Sequence, residues 1–280
     1  MQPIGVFDSG VGGLSVLQAL RRELPHGRFV YVSDAGHAPY GERDVAHVLQ
    51  RSLVIGDYLV RTHHARALVV ACNTATAAAI ATLRAAYPLP PIVGVDPALK
   101  PAAARSRTGV VGVLATRGTL ASDKFQALLQ AQGGQVRFVL QACDGLAAAI
   151  EHDDTAQIRT LCARYTAGMG QFGTAPGAID TIVLGCTHYA FAAHILHELL
   201  GPEVALIDAG QPVAQRTRSL LAQEIATDAV ASASPPRTGW VELWTTGEVK
   251  TLQAAAQRWL TGSGTVRHVA LDPTETEVLP

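Results

Sequence analysis

Two stretches of the chain answer each other: Val-Val-Ala-Cys-Asn-Thr-Ala at 69–75, centred on Cys72, and Val-Leu-Gly-Cys-Thr-His-Tyr at 183–189, centred on Cys186. Each grows out of an apolar, partly β-branched run, Leu68 to Ala71 and Ile182 to Gly185, and each ends in a cysteine followed by small polar residues. Short apolar runs with such polar boundaries read as buried strands, so each thiol is expected just past a strand end. There, with backbone N–H groups and hydroxyls beside it, a thiol is a natural proton acceptor or nucleophile. The two cysteines are too far apart in sequence for a local metal knuckle. Equivalent strand ends in two halves of one chain would bring them to a common cleft.

Outward from Cys72, strands and helices alternate. Ile4 to Phe7 reads as a strand that runs into Asp8, Ser9, Gly10, Val11, Gly12 and Gly13. An amphipathic helix follows, with Leu14, Leu17, Leu20 and Leu24 on one face and Pro25 as its stop. A strand, a glycine-rich turn and a helix N-terminus present backbone N–H groups to an anion. The dinucleotide fingerprint fails at Ser15, where its third glycine belongs, so a small anionic ligand is the expectation. Asp8 reads equally as a helix cap or as a polar group of the cleft. Phe29 to Val32 is a second strand, ending at Ser33 and Asp34. In the loop Ala-Gly-His-Ala-Pro-Tyr-Gly at 35–41, Pro39 and Gly41 fix the backbone around Tyr40; that suits a side chain held over a site, or an ordinary turn. A long helix from Asp44 to His63, a strand from Ala67 to Ala71, an alanine-rich helix from Ala75 to Ala86 and a strand from Ile92 to Val95 complete the first half. This alternation predicts a parallel sheet covered on both faces, with ligands at the carboxyl ends of its strands.

From Asp96 the pattern restarts. Gly109 to Ala115 corresponds to the first strand, and Thr116, Gly118 and Thr119 stand where the first half has its polar, glycine-rich turn. Val136 to Leu140 corresponds to the second strand, helical segments cover 145–170, and Thr181 to Gly185 delivers Cys186 as Leu68 to Ala71 delivers Cys72. The fold class that follows is α/β: two similar doubly wound parallel-sheet domains related by pseudo-two-fold symmetry, with the active site in the cleft between them. Residues 1–95 with 210–280 form the first expected domain, carrying Asp8, Asp34 and Cys72; residues 96–209 form the second, carrying Thr116, Cys186 and His188. The tail from Val204, with a strand over Trp240 to Trp244, is expected to return to the first half, and Thr227 to Thr238 reads as a surface loop.

Composition narrows the class. Of the 280 residues, 48% are hydrophobic and 16% charged, enough apolar material for real cores and too little charge for disorder. A formal net charge of −1 suggests neither a nucleic-acid nor a membrane surface. No apolar stretch reaches the roughly 18 residues of a membrane span, and no secretory signal opens the chain, so a cytoplasmic protein is expected. The four cysteines, Cys72, Cys143, Cys162 and Cys186, form neither a CxxC pair nor a zinc pattern. Cys162 and Cys143 read as buried, inert thiols.

Asp-Ser-Gly-Val-Gly-Gly (8–13), Pro-Tyr-Gly (39–41), Ala-Cys-Asn-Thr-Ala (71–75) and Gly-Cys-Thr-His-Tyr (185–189), in this order, closely resemble the glutamate racemase family, the cofactor-independent branch of the aspartate/glutamate racemase superfamily. The resemblance covers about residues 4 to 210. It implies two similar α/β domains around one site, with Cys72 and Cys186 as the catalytic thiols and Asp8 and His188 assisting them. It implies further that Ser9, Tyr40, Gly41, Asn73, Thr74, Thr116, Thr119 and Thr187 bind substrate or support the thiols, and that Asp34 and Glu151 are acids near the site. Asp144 departs from the proline that usually follows the cysteine at position 143 in this family.

The resemblance also implies racemisation of glutamate without pyridoxal phosphate or metal, a homodimer, and a supply of D-glutamate for bacterial peptidoglycan. The chemistry suits the residues. Removing an α-proton from one face and returning one to the other needs a base that moves, or two fixed acid–bases on opposite sides. The enediolate-like carboxylate must be stabilised electrostatically by fixed N–H and O–H donors. Lys100, Lys124 and Lys250 are the chain's lysines, and none lies in a motif. Three alternatives stand: an aspartate racemase, a cysteine hydrolase built on Cys186 and His188 that lacks a separate orienting acid, and a non-catalytic binding protein.

Overall fold

The structure, a computed structural model, describes residues 2–132, 134, 136–227, 239–262 and 264–271, with side chains undescribed over 223–227. The first half alternates β1 (Ile4–Asp8), α1 (Leu14–Glu23), β2 (Arg28–Ser33), α2 (Val45–Asp57), β3 (Ala67–Val70), α3 (Asn73–Ala86) and β4 (Ile92–Gly94). The second half holds α4 (Leu99–Arg105), β5 (Val110–Ala115), α5 (Arg117–Ala121), α6 (Asp123–Gln130), β6 (Arg137–Ala142), α7 (Leu146–Glu151), α8 (Thr155–Ala167), β7 (Thr181–Gly185), α9 (Ala193–Leu200) and β8 (Ala205–Ile207). The tail adds α10 (Gly210–Thr227), β9 (Trp240–Thr245), α11 (Val249–Trp259) and β10 (Val266–His268).

All the strands pair in parallel, in two sheets. The six-stranded sheet runs β10-β9-β2-β1-β3-β4 and the four-stranded sheet β6-β5-β7-β8. The repeat is exposed by this order: β2-β1-β3-β4 matches β6-β5-β7-β8 strand for strand. Cys72 follows β3 and Cys186 follows β7, so the two thiols hold equivalent places. The tail crosses to the first sheet, where β9 pairs with β2 and carries β10 at the edge, a strand too short to stand out in the sequence.

Burial on both faces explains the largely apolar sequences of β1, β3, β5 and β7, every residue of which is buried. One core packs α2 and α3 on the outer face of the first sheet, with Val48, Ile55, Ala75, Ala79 and Leu83 against Phe7, Val30 and Val70. A second, continuous core joins the halves, running from Leu14, Leu17 and Leu20 of α1 to Ile182, Tyr189, Ile195 and Leu221. The two halves are therefore joined through apolar packing.

Helix boundaries carry chemical information. α3 begins two residues before the expected start because the Cys72 sulfur accepts from the Ala75 amide at 3.5 Å and caps it. The polar turn expected at Thr116 is the start of a helix, with Thr116 accepting from the Thr119 amide. The long helix after Asp44 finishes in a π-helical turn over Tyr58–Thr62. The surface loop expected over 227–238 lies, beyond Thr227, outside the described residues.

Candidate active site

Cys72 stands where β3 gives way to α3. It is 5% exposed, with the Ser9 hydroxyl 3.8 Å from its sulfur. Burial first, then the charge of Asp8, pushes this thiol well above the usual cysteine range, although the Ala75 amide and Ser9 pull it back. Asp8, at the end of β1, is fully buried; one of its oxygens accepts from the Gly13 amide at 2.7 Å. Burial raises the Asp8 carboxyl above its ordinary value against the pull of His188. Asp8 is neither the helix cap nor the cleft-lining group that were expected: α1 has no side-chain cap and the cavity lining does not include Asp8, which instead ties the turn before α1 through the Gly13 amide and acts on Cys72 from behind the cavity.

Cys186 occupies the equivalent place after β7, leading into a 3-10 helix over Thr187–Ala192. Its sulfur lies 3.8 Å from His188 Nδ1, and His188 Nε2 lies 2.7 Å from Glu151 Oε2. Burial works against an imidazolium here, but Cys186 and Glu151 outweigh it and hold His188 well above the usual histidine range. Glu151, at the end of α7, stands on the far side of His188 from Cys186, the position an orienting acid would take.

The glycine-rich turn differs from its expectation. No small anion is needed at its amides, because the chain supplies one: the Val11 amide donates to Glu151 Oε2 at 2.8 Å. A Cβ at Gly10 would sit 2.2 Å from Glu151, and one at Gly12 would sit 2.3 Å from His188 Nδ1. The glycines thus allow the relay of the second half to lie against the backbone of the first. Ser15, the residue that breaks the dinucleotide pattern, donates to the Thr187 carbonyl at 3.1 Å and ties α1 to the second thiol's loop.

Both cysteines face one cavity of about 30 Å³, room for little more than ordered water. Ser9, Pro39, Tyr40, Gly41, Asn73 and Thr74 line it from the first half, and Thr116, Cys143, Thr187 and His188 from the second. The halves touch at its edge, where the Thr74 and Thr116 hydroxyls are 3.1 Å apart and the Gly145 amide donates to Glu42 at 3.4 Å. Thr119 stands behind this edge, accepting from the Thr116 hydroxyl at 2.9 Å. Asn73 donates its amide to the Val95 carbonyl at 3.3 Å. Asp34 is fully buried outside the lining, between Tyr40 and Arg51. A second cavity of about 430 Å³ shares Ser9, Pro39, Ala147 and His188 with the first and reaches Glu151, His152 and Glu248.

Sequence reasoning passed over Arg51 and Thr246, and read the two remaining cysteines as inert. Cys143 lines the cavity, but burial pushes its thiol far up and its S–H points to the Gln141 carbonyl, which agrees with an inert role. Cys162, pushed up to about 11 by burial, lies in α8 away from the cavity lining. Arg51 and Thr246 bind Asp34, and no local motif marks either of them. No lysine lines the cavity, and among the described residues no group of three or more His, Cys, Asp or Glu is placed to hold a metal ion. Among these residues, too, no helix is long and apolar enough to cross a membrane.

The sequence profile of the Asp/Glu/Hydantoin racemase family matches residues 11–217. The chain is 46% identical over 255 residues to a glutamate racemase of Ectopseudomonas mendocina, an alignment covering 90% of this chain and 92% of that one. A glutamate racemase from Bacillus anthracis superposes with a TM-score of 0.80 at 30% identity, over 96% of this chain and 98% of the other. The Escherichia coli glutamate racemase, solved with L-glutamate and the activator UDP-MurNAc-ala, superposes with a TM-score of 0.79 at 29% identity, over 97% of this chain and 99% of the other.

Proposed function

The chain belongs to the Asp/Glu/Hydantoin racemase family, among its glutamate racemases, and from that premise we propose that it interconverts L- and D-glutamate by a two-base path, one of Cys72 and Cys186 taking the α-proton as the other delivers a different proton to the opposite face. The observation that carries this reading is the pair of thiols at equivalent strand ends of the two halves, both lining one cavity. Cys72 deprotonates the D-enantiomer while Cys186 protonates the opposite face; the L-enantiomer runs the same steps in reverse. After one turnover the proton pattern of the thiols is swapped, and the next turnover in that direction requires proton exchange with water. On the Cys186 side the relay through His188 to Glu151 reaches the larger cavity and supplies that exchange. On the Cys72 side Asp8 and Ser9 flank the sulfur.

The α-carbanion needs no bond to a cofactor if its carboxylate is held by fixed donors. The N-terminus of α3 and the hydroxyls of Ser9, Thr74, Thr116 and Thr187 surround the cavity for that purpose. The lining holds no lysine, the side chain that would carry pyridoxal as a Schiff base, and this favours a path without pyridoxal. The physiological role that fits is supply of D-glutamate for bacterial peptidoglycan, by a cytoplasmic homodimer.

Cys186, His188 and Glu151 also have the order of a cysteine-hydrolase triad. That chemistry would leave Cys72 and Asp8 without a task. The deciding experiment uses protein freed of pyridoxal and metal, given L-glutamate, D-glutamate and L-aspartate in turn, with optical rotation followed. Loss of rotation with both glutamates, abolished by C72S and by C186S alike, is the expected result. Racemisation of aspartate alone would move the substrate assignment, and activity surviving C72S would overturn the two-thiol reading.

A further inference from the structure

Pro39, Tyr40, Gly41 and Glu42 form one wall of the thiol cavity, and the same segment meets the second half. A Cβ at Gly41 would lie 2.8 Å from Thr116, and Glu42 accepts from the Gly145 amide at 3.4 Å. The shape of this short loop therefore sets the width of the cavity. What holds the loop lies beneath it, on Asp34.

Both oxygens of Asp34 are fully engaged by three separate elements. Oδ2 receives the Tyr40 hydroxyl at 2.6 Å and Arg51 Nε at 2.9 Å. Oδ1 receives Arg51 Nη2 at 2.8 Å and the Thr246 hydroxyl at 2.8 Å. Arg51 is 1% exposed on α2, and its remaining Nη1 donates to the Leu271 carbonyl at 2.8 Å. Thr246, just past β9, also binds the loop's backbone, accepting from the Gly36 amide at 3.2 Å and donating its own amide to the Ser33 carbonyl at 3.0 Å. An acid engaged in this way has no free face toward substrate. A planar guanidinium fork fixes direction as well as charge, which a packed apolar cluster would not do.

We propose that Arg51 and Thr246 are positioning residues for the substrate loop 39–42, acting through Asp34 and Tyr40, and that the C-terminal strand β9 thereby helps to set the affinity of the cavity for its amino acid. The inference rests on the racemase reading of that cavity. It gives the tail, of which no described residue lines the thiol cavity, a part in substrate binding. Asp34 and Tyr40 act through the loop's shape, and Arg51 touches no reacting atom.

The test uses the full chain with T246V, which keeps the side-chain volume and removes the donor, T246S, which restores it, and R51K, which keeps charge and loses the fork. Two quantities are read: KM and kcat for both glutamates, and amide hydrogen exchange over residues 36–43. T246V is expected to raise KM about 10-fold with kcat changed less than about 2-fold, as befits a lost hydrogen bond to a buried charge acting on binding. Loop exchange is expected to quicken about 10-fold while β1 and β3 keep their protection. T246S returns both quantities toward those of the unmodified protein, and R51K moves them in the same direction as T246V. A T246V protein with a lower Tm but unchanged KM and unchanged loop exchange overturns the inference. If the unmodified protein leaves glutamate untouched, the racemase reading fails, and the exchange data still decide whether Thr246 holds the loop.

Discussion

Asp8 is fully buried beside Cys72, with one oxygen on the Gly13 amide and the other without a hydrogen-bond partner among the described residues. Burial raises its carboxyl, so the folded chain holds the proton more tightly than the unfolded chain, where the value is about 3.9. Linkage then gives the sign: this site's contribution is most favourable in acid and weakens as pH rises through the raised folded value. The neutral variant D8N removes that penalty. It is expected to be more stable than the unmodified protein at pH 7 by about 1–3 kcal/mol, the advantage shrinking toward pH 4, while racemisation falls by about 10²–10⁴-fold. Denaturant melts at the two pH values and a rotation assay check both halves; D8N less stable at pH 7 would contradict the account. Gly12 makes a second point at this scale. Its missing Cβ is the space occupied by His188, so G12A must displace the imidazole from Cys186 or Glu151. The expectation is a folded, cooperatively melting protein with kcat lowered by about 100-fold.

Among the elements, β5 and β7 pair in parallel, and one carboxylate ties the turn before β5 to the start of β7. Asp180, just before β7, accepts from the Ser106 hydroxyl at 2.7 Å and from the Arg107 and Thr108 amides at 2.7 and 3.1 Å, and so ties the turn that feeds β5. Burial alone would raise this carboxyl, but these bonds and that from Thr181 outweigh it and hold it below the usual carboxylate range. Its stabilisation is therefore present above the unfolded value of about 3.9 and is lost as pH falls through the lower folded value. D180N is expected to cost about 2–3 kcal/mol at neutral pH and to flatten the acid side of the stability curve, which denaturant unfolding between pH 2 and pH 7 would register. Stability unchanged at pH 7 would remove Asp180 from this role. β9 bears on the site differently, since Thr246 at its end reaches the substrate loop through Asp34.

At the scale of the molecule, the two sheets meet on a continuous core beside α1 and again at the cavity's edge, through Thr74 and Gly41 with Thr116 and Glu42 with Gly145. The cavity of about 30 Å³ holds little more than ordered water, and the larger one of about 430 Å³ lies against it, sharing Ser9, Pro39, Ala147 and His188. The duplicated plan was legible in the sequence because strand-end thiols and apolar runs are local signals, each repeated once. The seat of Glu151 in the glycine-rich turn was not, because that turn looks the same whether its anion comes from a ligand or from the other half of the chain. Arg51 and Thr246 were hidden for a related reason: their partner is a buried acid reached only once α2 and β9 pack on the first sheet. The central claim, that the proton leaves to one thiol and returns from another, is tested most directly by isotope partitioning. L-Glutamate is racemised in deuterated water, and product and residual substrate are separated within the first few per cent of reaction. Two thiols predict α-deuterium in essentially every D-glutamate molecule formed, with the remaining L-glutamate still carrying protium. D-Glutamate that retains the substrate's own α-proton would mean one base serving both faces, and would contradict the account.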